Sequence, residues 1–189
     1  CLTLIKLQAD PRYQVVGVLT SYYQNTVPFQ ATPLPLLRQQ LSLLDLPSIE
    51  VELPAVFPDN EIYQSLIINA LKSSGLEIDA VAFGDMFCNG IEEYRRSYIE
   101  PEGWLCVFPL LNQQPSELSK EIIKCGIKTR LCCVDTEQLD GKFLGRDYNF
   151  ELLEDLPKEA DPCGENGEFH TLVSDAPCFK KPLTIETTG

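Results

Sequence analysis

Residues 161–171 read DPCGENGEFHT, and the chain is best read outward from them. Glu165 and Glu168 are separated only by Asn166 and Gly167, so a glycine-bearing turn sets two carboxylates close together ahead of a strand-like run. Asp161 adds a third acid just upstream, and the single histidine, His170, follows at once. Crowded carboxylates raise one another's pKa unless a cation or a hydrogen-bond donor neutralises them, which makes this turn a candidate for cation binding or proton transfer. The plainer reading is a solvated acidic turn with a histidine at a strand edge.

With 189 residues, the chain is long enough for one large domain or a domain with a smaller appendage. A hydrophobic fraction of 44% with 23% charged residues suits a globular protein. No apolar run approaches the roughly 20 residues of a membrane span and no leader pattern is visible, so a cytoplasmic protein with no membrane partner is expected. The formal net charge of −13 argues against a nucleic-acid partner, because binding to phosphate backbones needs clustered lysine and arginine. Arg95 and Arg96 form an obvious basic pair.

The cysteines at positions 1, 88, 106, 125, 132, 133, 163 and 178 show no C-x-x-C spacing, and several sit in apolar runs. They read as buried free thiols. With one histidine, and with Cys132 and Cys133 pointing to opposite faces of a strand, no zinc site is expected.

Strands and helices alternate along the chain. The apolar run within 13–22 reads as a strand buried on both faces, and Thr32 before Pro33 reads as the cap of a helix carrying Leu37, Leu41 and Leu44. Residues 49–53 alternate as a strand. Asp59 or Asn60 starts a helix through Ser73 with Ile62, Leu66, Ile67, Ala70 and Leu71 inward, and 79–83 is a further strand. Residues 91–98 are polar with an aromatic face, and 104–110 is another apolar run. NQQP at 112–115 is the most linker-like break and sets domains of 1–112 and 113–189. Ser116 then caps a helix with Leu118, Ile122 and Ile123; a strand at 131–134 and a helical turn at 150–156 lead to the acidic turn.

The acidic turn resembles the GE-x-GE-F-H-T signature of the N-type ATP pyrophosphatases that include diphthine ammonia ligases. The same family carries an NE-x-Y and an FGD segment, matched in order by Asn60, Glu61 and Tyr63 and by Phe83, Gly84 and Asp85. An MHG-like segment of many members is replaced here by Phe29, Gln30 and Ala31. The resemblance implies an α/β fold, a doubly wound, mostly parallel sheet of the adenine-nucleotide hydrolase (Rossmann-like) type, with a smaller C-terminal domain closing over the strand ends. The strands near Val15, Val51, Val81 and Val107 would form it. The family's first strand and its SGGKDS phosphate loop are not matched within this chain. It opens on Cys1 with Met86 as its only methionine, and both are expected upstream.

The implied activity is ATP-dependent activation of a carboxylate with release of pyrophosphate, followed by amidation with ammonia. ATP and magnesium are the implied cofactors. The substrate would be a small-molecule or protein carboxylate, diphthine of elongation factor 2 in an orthologue, and the protein is a possible homo-oligomer. Glu165, Glu168 and His170 are the candidate catalytic residues, with the two glutamates suited to magnesium or a cationic substrate group. Gly84, Asp85, Arg95, Arg96, Gly164, Gly167 and Thr171 are candidate substrate-binding residues. Asp85 reads equally well as a strand-end carboxylate capping the next turn, and Arg95 and Arg96 as an ordinary helix face. A non-catalytic nucleotide or small-molecule binding module of the same fold is the alternative.

Overall fold

Two parallel strand pairs build the N-terminal part of the chain. The computed structural model describes residues 1–28, 30, 32–86 and 90–184. Strand β1 (Val18–Tyr22) pairs in parallel with β2 (Ser48–Glu52), Val18 lying opposite Ser48. Parallel neighbours need a crossover, and helix α2 (Leu34–Ser42) supplies it. Helix α3 (Asn60–Ser73) leads on to β3 (Ala80–Ala82). This strand pairs in parallel with β4 (Leu105–Val107), and α4 (Ile91–Ile99) lies between them in sequence. Both pairs pack on one core centred on Val51, Ile67, Leu71, Ile99 and Cys106, against which Leu19 and Val81 also lie.

The C-terminal part is built differently. Helix α5 (Pro115–Lys124) is followed by β5 (Lys128–Val134), α6 (Phe150–Asp155) and β6 (Phe169–Asp175), and β5 and β6 pair antiparallel. Their core contains Leu131, Phe143, Tyr148, Leu152 and Phe169. A third cluster joins helix α1 (Leu2–Ala9) to this part through Leu2, Met86, Leu110, Leu118, Ile127 and Ala176. Lys6 of α1 pairs with Glu121 of α5 at 2.6 Å, and the Gln40 carboxamide donates to the Val173 carbonyl at 2.7 Å.

The architecture is therefore mixed α/β. Among the described residues the strands form three two-stranded sheets, with no ladder joining the two parallel pairs. No helix among these residues is long and apolar enough to cross a membrane.

Several local expectations shift. The strand expected within 13–22 begins only at Val18, whose N–H donates to the Pro47 carbonyl at 2.9 Å. Gly17 just before it is wedged so closely that an added Cβ would stand 2.7 Å from the Leu76 side chain. Val15 lies outside the ladder. Pro33 rather than Thr32 occupies the N-cap of α2, with no side-chain cap bond. Gln114 caps α5, because Pro115 takes the first helical position where a missing N–H costs nothing, and Ser116 falls inside the first turn. Ile62, expected inward, is 45% exposed because it sits on the outer side of the first turn of α3. The seven described cysteines are free thiols, but Cys1 and Cys132 are exposed and only Cys106 is fully buried. Cys88, Phe29 and Ala31 lie outside the described residues.

Ile99 is fully buried in the shared core. Ile99→Val removes one methylene there and is expected to cost about 1 kcal/mol, read as a lower urea midpoint at an unchanged slope.

Candidate functional site

The turn between α6 and β6 is held by its own buried acid. Glu168 is 3% exposed, and its Oε1 accepts the Asp161 N–H at 2.7 Å and the Asn166 carboxamide at 3.2 Å. Its Oε2 accepts the Asn166 N–H at 3.1 Å. Burial pushes this carboxyl up, but the donors from Asp161 and Asn166 outweigh burial and hold it below the ordinary glutamate value. Asp161 also closes the turn, its Oδ1 accepting the Cys163 N–H at 2.6 Å. Gly164 closes the turn at φ +73°, and its N–H donates to the Asp161 carbonyl. A Cβ there would stand 2.7 Å from the Phe169 carbonyl oxygen, so the close approach and the left-handed backbone together require glycine.

A group with its pKa depressed in the folded state adds stability that is present above the unfolded pKa and lost as pH falls through the folded one. Wild type is therefore expected to lose a Glu168-dependent share of stability as pH drops below about 4.3, the usual glutamate value. In Glu168→Gln that share of the acid dependence should be missing from unfolding curves recorded between neutral pH and pH 2 to 3, roughly the range over which such carboxylates protonate.

Glu165 behaves in the opposite way. Its side chain makes no hydrogen bond or ion pair among the described residues, and the residue stands exposed on the turn. Desolvation first, then the fields of Asp161, Asp85 and Glu168, raise its carboxyl above the ordinary value. It borders a polar cleft of about 350 Å³ lined also by Gly164, Gly167, His170, Thr171 and Cys163, with Gln30 reaching in from the loop after β1. Burial pushes the Cys163 thiol up to about 12, so it stays protonated and is a poor nucleophile. A larger, open depression of about 600 Å³ lies between β2 and α3, lined by Glu50, Glu52, Asn69 and Lys72 among others. It contains none of the acidic-turn residues.

The field of Asp85 also reaches Glu165, so the end of β3 lies within electrostatic range of the turn. Asp85 accepts the Arg95 Nε–H at 3.1 Å, and Arg95 donates to the Tyr98 hydroxyl at 3.1 Å while its guanidinium lies 4.7 Å from the Phe83 ring centre. Burial pulls the Arg95 pKa down, but the bonds to Asp85 and Tyr98 overcome it, so the group remains a cation. The Tyr94 hydroxyl reaches the Asn60 side-chain oxygen at 3.5 Å. Thus α4 ties the segment 60–63 to the segment 83–85. Gly84 sits against α1, where a Cβ would stand 3.0 Å from the Thr3 hydroxyl.

The structure separates the expected residues into groups. Glu165, His170, Thr171, Gly164 and Gly167 share the cleft. Glu168 is engaged within the turn, and Asp85 with Arg95 forms a neighbouring pair. Arg96 points elsewhere: it bridges Glu92 and Glu100 at 2.8 and 2.5 Å over the Phe108 ring, which gives it a structural place on the face of α4. In the sequence Gln30 is marked only as standing where many family members carry an MHG-like segment, and as a lone glutamine in a loop it has no pattern of its own that points to the cleft.

Among the described residues no group of three or more His, Cys, Asp or Glu side chains is arranged to hold a metal by itself. Magnesium asks for less. It is held by one or two carboxylates and completes its octahedron with water and phosphate oxygens, so a single carboxylate, Glu165 at the cleft or Asp85 near it, meets that donor set.

The fold and this acidic cleft define a mixed α/β protein whose C-terminal part presents carboxylates beside the end of a parallel strand. Residues 114–188 match the family model of the diphthamide synthase C-terminal domain. That match, over less than half of the chain, supports a diphthine ammonia ligase-like family. No curated protein matches the chain.

Proposed function

We propose that this chain acts as an ATP-dependent ligase that activates a carboxylate as its adenylate and transfers ammonia to it, as diphthine ammonia ligases do. In the first step a carboxylate oxygen of the substrate bonds to the α-phosphorus of ATP and pyrophosphate leaves. In the second, the nitrogen of ammonia bonds to the acyl carbon, AMP leaves, and one proton must be taken up. The observation that carries the reading is Glu165, a carboxylate with no partner among the described residues, set beside His170 in a polar cleft. A base held nearer neutrality accepts that proton more readily at working pH. Magnesium would neutralise phosphate charge from the Asp85 side, leaving Glu165 to take the proton. Arg95, a planar and permanently charged donor, would serve a phosphate or carboxylate in this reading.

Within this proposal the two parallel strand pairs belong to one doubly wound nucleotide-binding sheet over residues 1–112, and residues 113–189 close over it. The expected setting is cytoplasmic, with a small-molecule or protein carboxylate as substrate. The test is to incubate the natural full-length protein with ATP, magnesium, ammonium and candidate carboxylates, and to measure AMP and pyrophosphate. Carboxylate-dependent AMP formation is expected; ADP as the product, or nucleotide turnover indifferent to carboxylate and ammonium, overturns the reading. The engagement of Arg95 by Asp85 favours one alternative, a binding module. It predicts ATP binding with no AMP.

A further inference from the structure

We propose that Tyr98 is a positioning residue for Arg95, setting which guanidinium N–H groups are left for a ligand oxyanion. The inference rests on the reading that Arg95 serves a phosphate or carboxylate. Both residues stand on α4, three positions apart and so on one helix face. Tyr98 is buried in the shared core, its ring beside that of Tyr94 with centroids 5.3 Å apart. Its hydroxyl accepts an Nη1–H of Arg95 at 3.1 Å and has no other hydrogen bond among the described residues.

Arg95 is held from three sides. Asp85 accepts its Nε–H, Tyr98 accepts from Nη1, and the Phe83 ring lies under the guanidinium at 4.7 Å. Phe83 is itself fixed: its N–H donates to the Val107 carbonyl at 2.9 Å, and its ring stacks on Phe108 with centroids 5.6 Å apart. A guanidinium carries five N–H donors in one rigid plane. Both donors on Nη2 and the second on Nη1 have no partner among the described residues. The Arg95 side chain is only 18% exposed, so these donors are largely drawn out of water and gain from a ligand oxygen.

A carboxylate facing a guanidinium favours two parallel N–H···O bonds. Asp85 makes only one, through Nε, while Nη1 is kept on the tyrosine. Without the hydroxyl, the guanidinium is free to turn and give Asp85 an Nη2–H as well, which takes a donor away from the ligand. Tyr98 thus divides Arg95 between its own carboxylate and an incoming oxyanion.

The test is Tyr98→Phe, which keeps the ring and removes only the hydroxyl. The natural full-length protein is titrated calorimetrically with inorganic pyrophosphate in one arm and acetate in the other, without added magnesium. Tyr98→Phe is expected to weaken one of them by about tenfold, the worth of one hydrogen bond to a charged group, and the arm that weakens identifies phosphate or carboxylate as the source. In the Arg95→Ala background the further Tyr98→Phe change should alter neither affinity. In the Asp85→Asn background, where the competing acceptor is weaker, Tyr98→Phe should cost less than it does in wild type. A purely structural role for the hydroxyl would produce neither dependence. The inference is overturned if wild type binds neither anion, if both affinities per folded molecule match wild type in Tyr98→Phe, or if the loss persists in Arg95→Ala. AMP formation is read separately. A protein that forms AMP but whose anion affinities ignore Tyr98 sinks the inference and keeps the ligase reading; one that forms no AMP yet shows the Arg95-dependent loss does the reverse.

Discussion

Glu165→Gln is expected to lower carboxylate- and ammonium-dependent AMP formation by about 10²–10³-fold, the usual contribution of a positioned proton acceptor. The carboxamide is nearly isosteric and adds two donors, but it accepts no proton at working pH. Glu165 takes no part in the hydrogen bonds that close the turn, so the change removes a reacting group without opening the fold. Stability separates this outcome from simple unfolding. A carboxyl whose folded pKa is raised above its unfolded value makes the native state less stable once pH rises above the unfolded value. The variant is therefore expected to melt at the wild-type temperature or slightly above it near neutral pH. A variant with full activity would remove Glu165 from the chemistry, and a variant that melts well below wild type would reassign it to the scaffold.

Gly164→Ala is expected to cost about 2–4 kcal/mol of folding free energy, from a strained backbone and a forced contact together. The φ of +73° disfavours any L side chain, and the added methyl would press on the Phe169 carbonyl at 2.7 Å with ring carbons of the same residue at 3.0 and 3.1 Å. None of these atoms is the free end of a flexible side chain. Phe169 begins β6 and is 2% exposed, so the strand cannot step aside without disturbing the core beneath it. Urea unfolding gives the loss directly. Gly75 offers the control: it has a similar positive φ of 72° but no atom within 4 Å of an added Cβ, so Gly75→Ala should show the backbone cost alone.

The sequence was informative where one periodicity governs a segment. Helix α3 from Asn60 to Ser73 and strand β2 beginning one residue before Ile49 follow from the apolar spacing and from the turn residues around them. It misled where a tertiary contact overrode the local pattern. Val15 is as apolar as Val18, yet Leu76 and Pro47 crowd the chain at Gly17, and pairing begins only beyond it. The closeness of Glu165 and Glu168 was legible from two residues of spacing, but their division of labour was not. Which carboxylate turns back to the amides of Asp161 and Asn166 depends on backbone angles at Gly164 and Gly167 that no composition reveals. The partners from elsewhere in the chain, Asp85 with Arg95 and Tyr148 with Pro162, meet only through packing.

The self-closure of the acidic turn bears on how the cleft would work over repeated cycles. Because Glu168 and Asp161 satisfy the backbone of the turn before any ligand arrives, bringing like charges together is an event of folding rather than of binding. A ligand entering beside Glu165 then meets a corner that is already in shape and already negative. It needs to reorganise little, and a cation leaving it releases no turn to collapse. Such a corner favours exchange limited by diffusion and local hydration over exchange limited by loop closure.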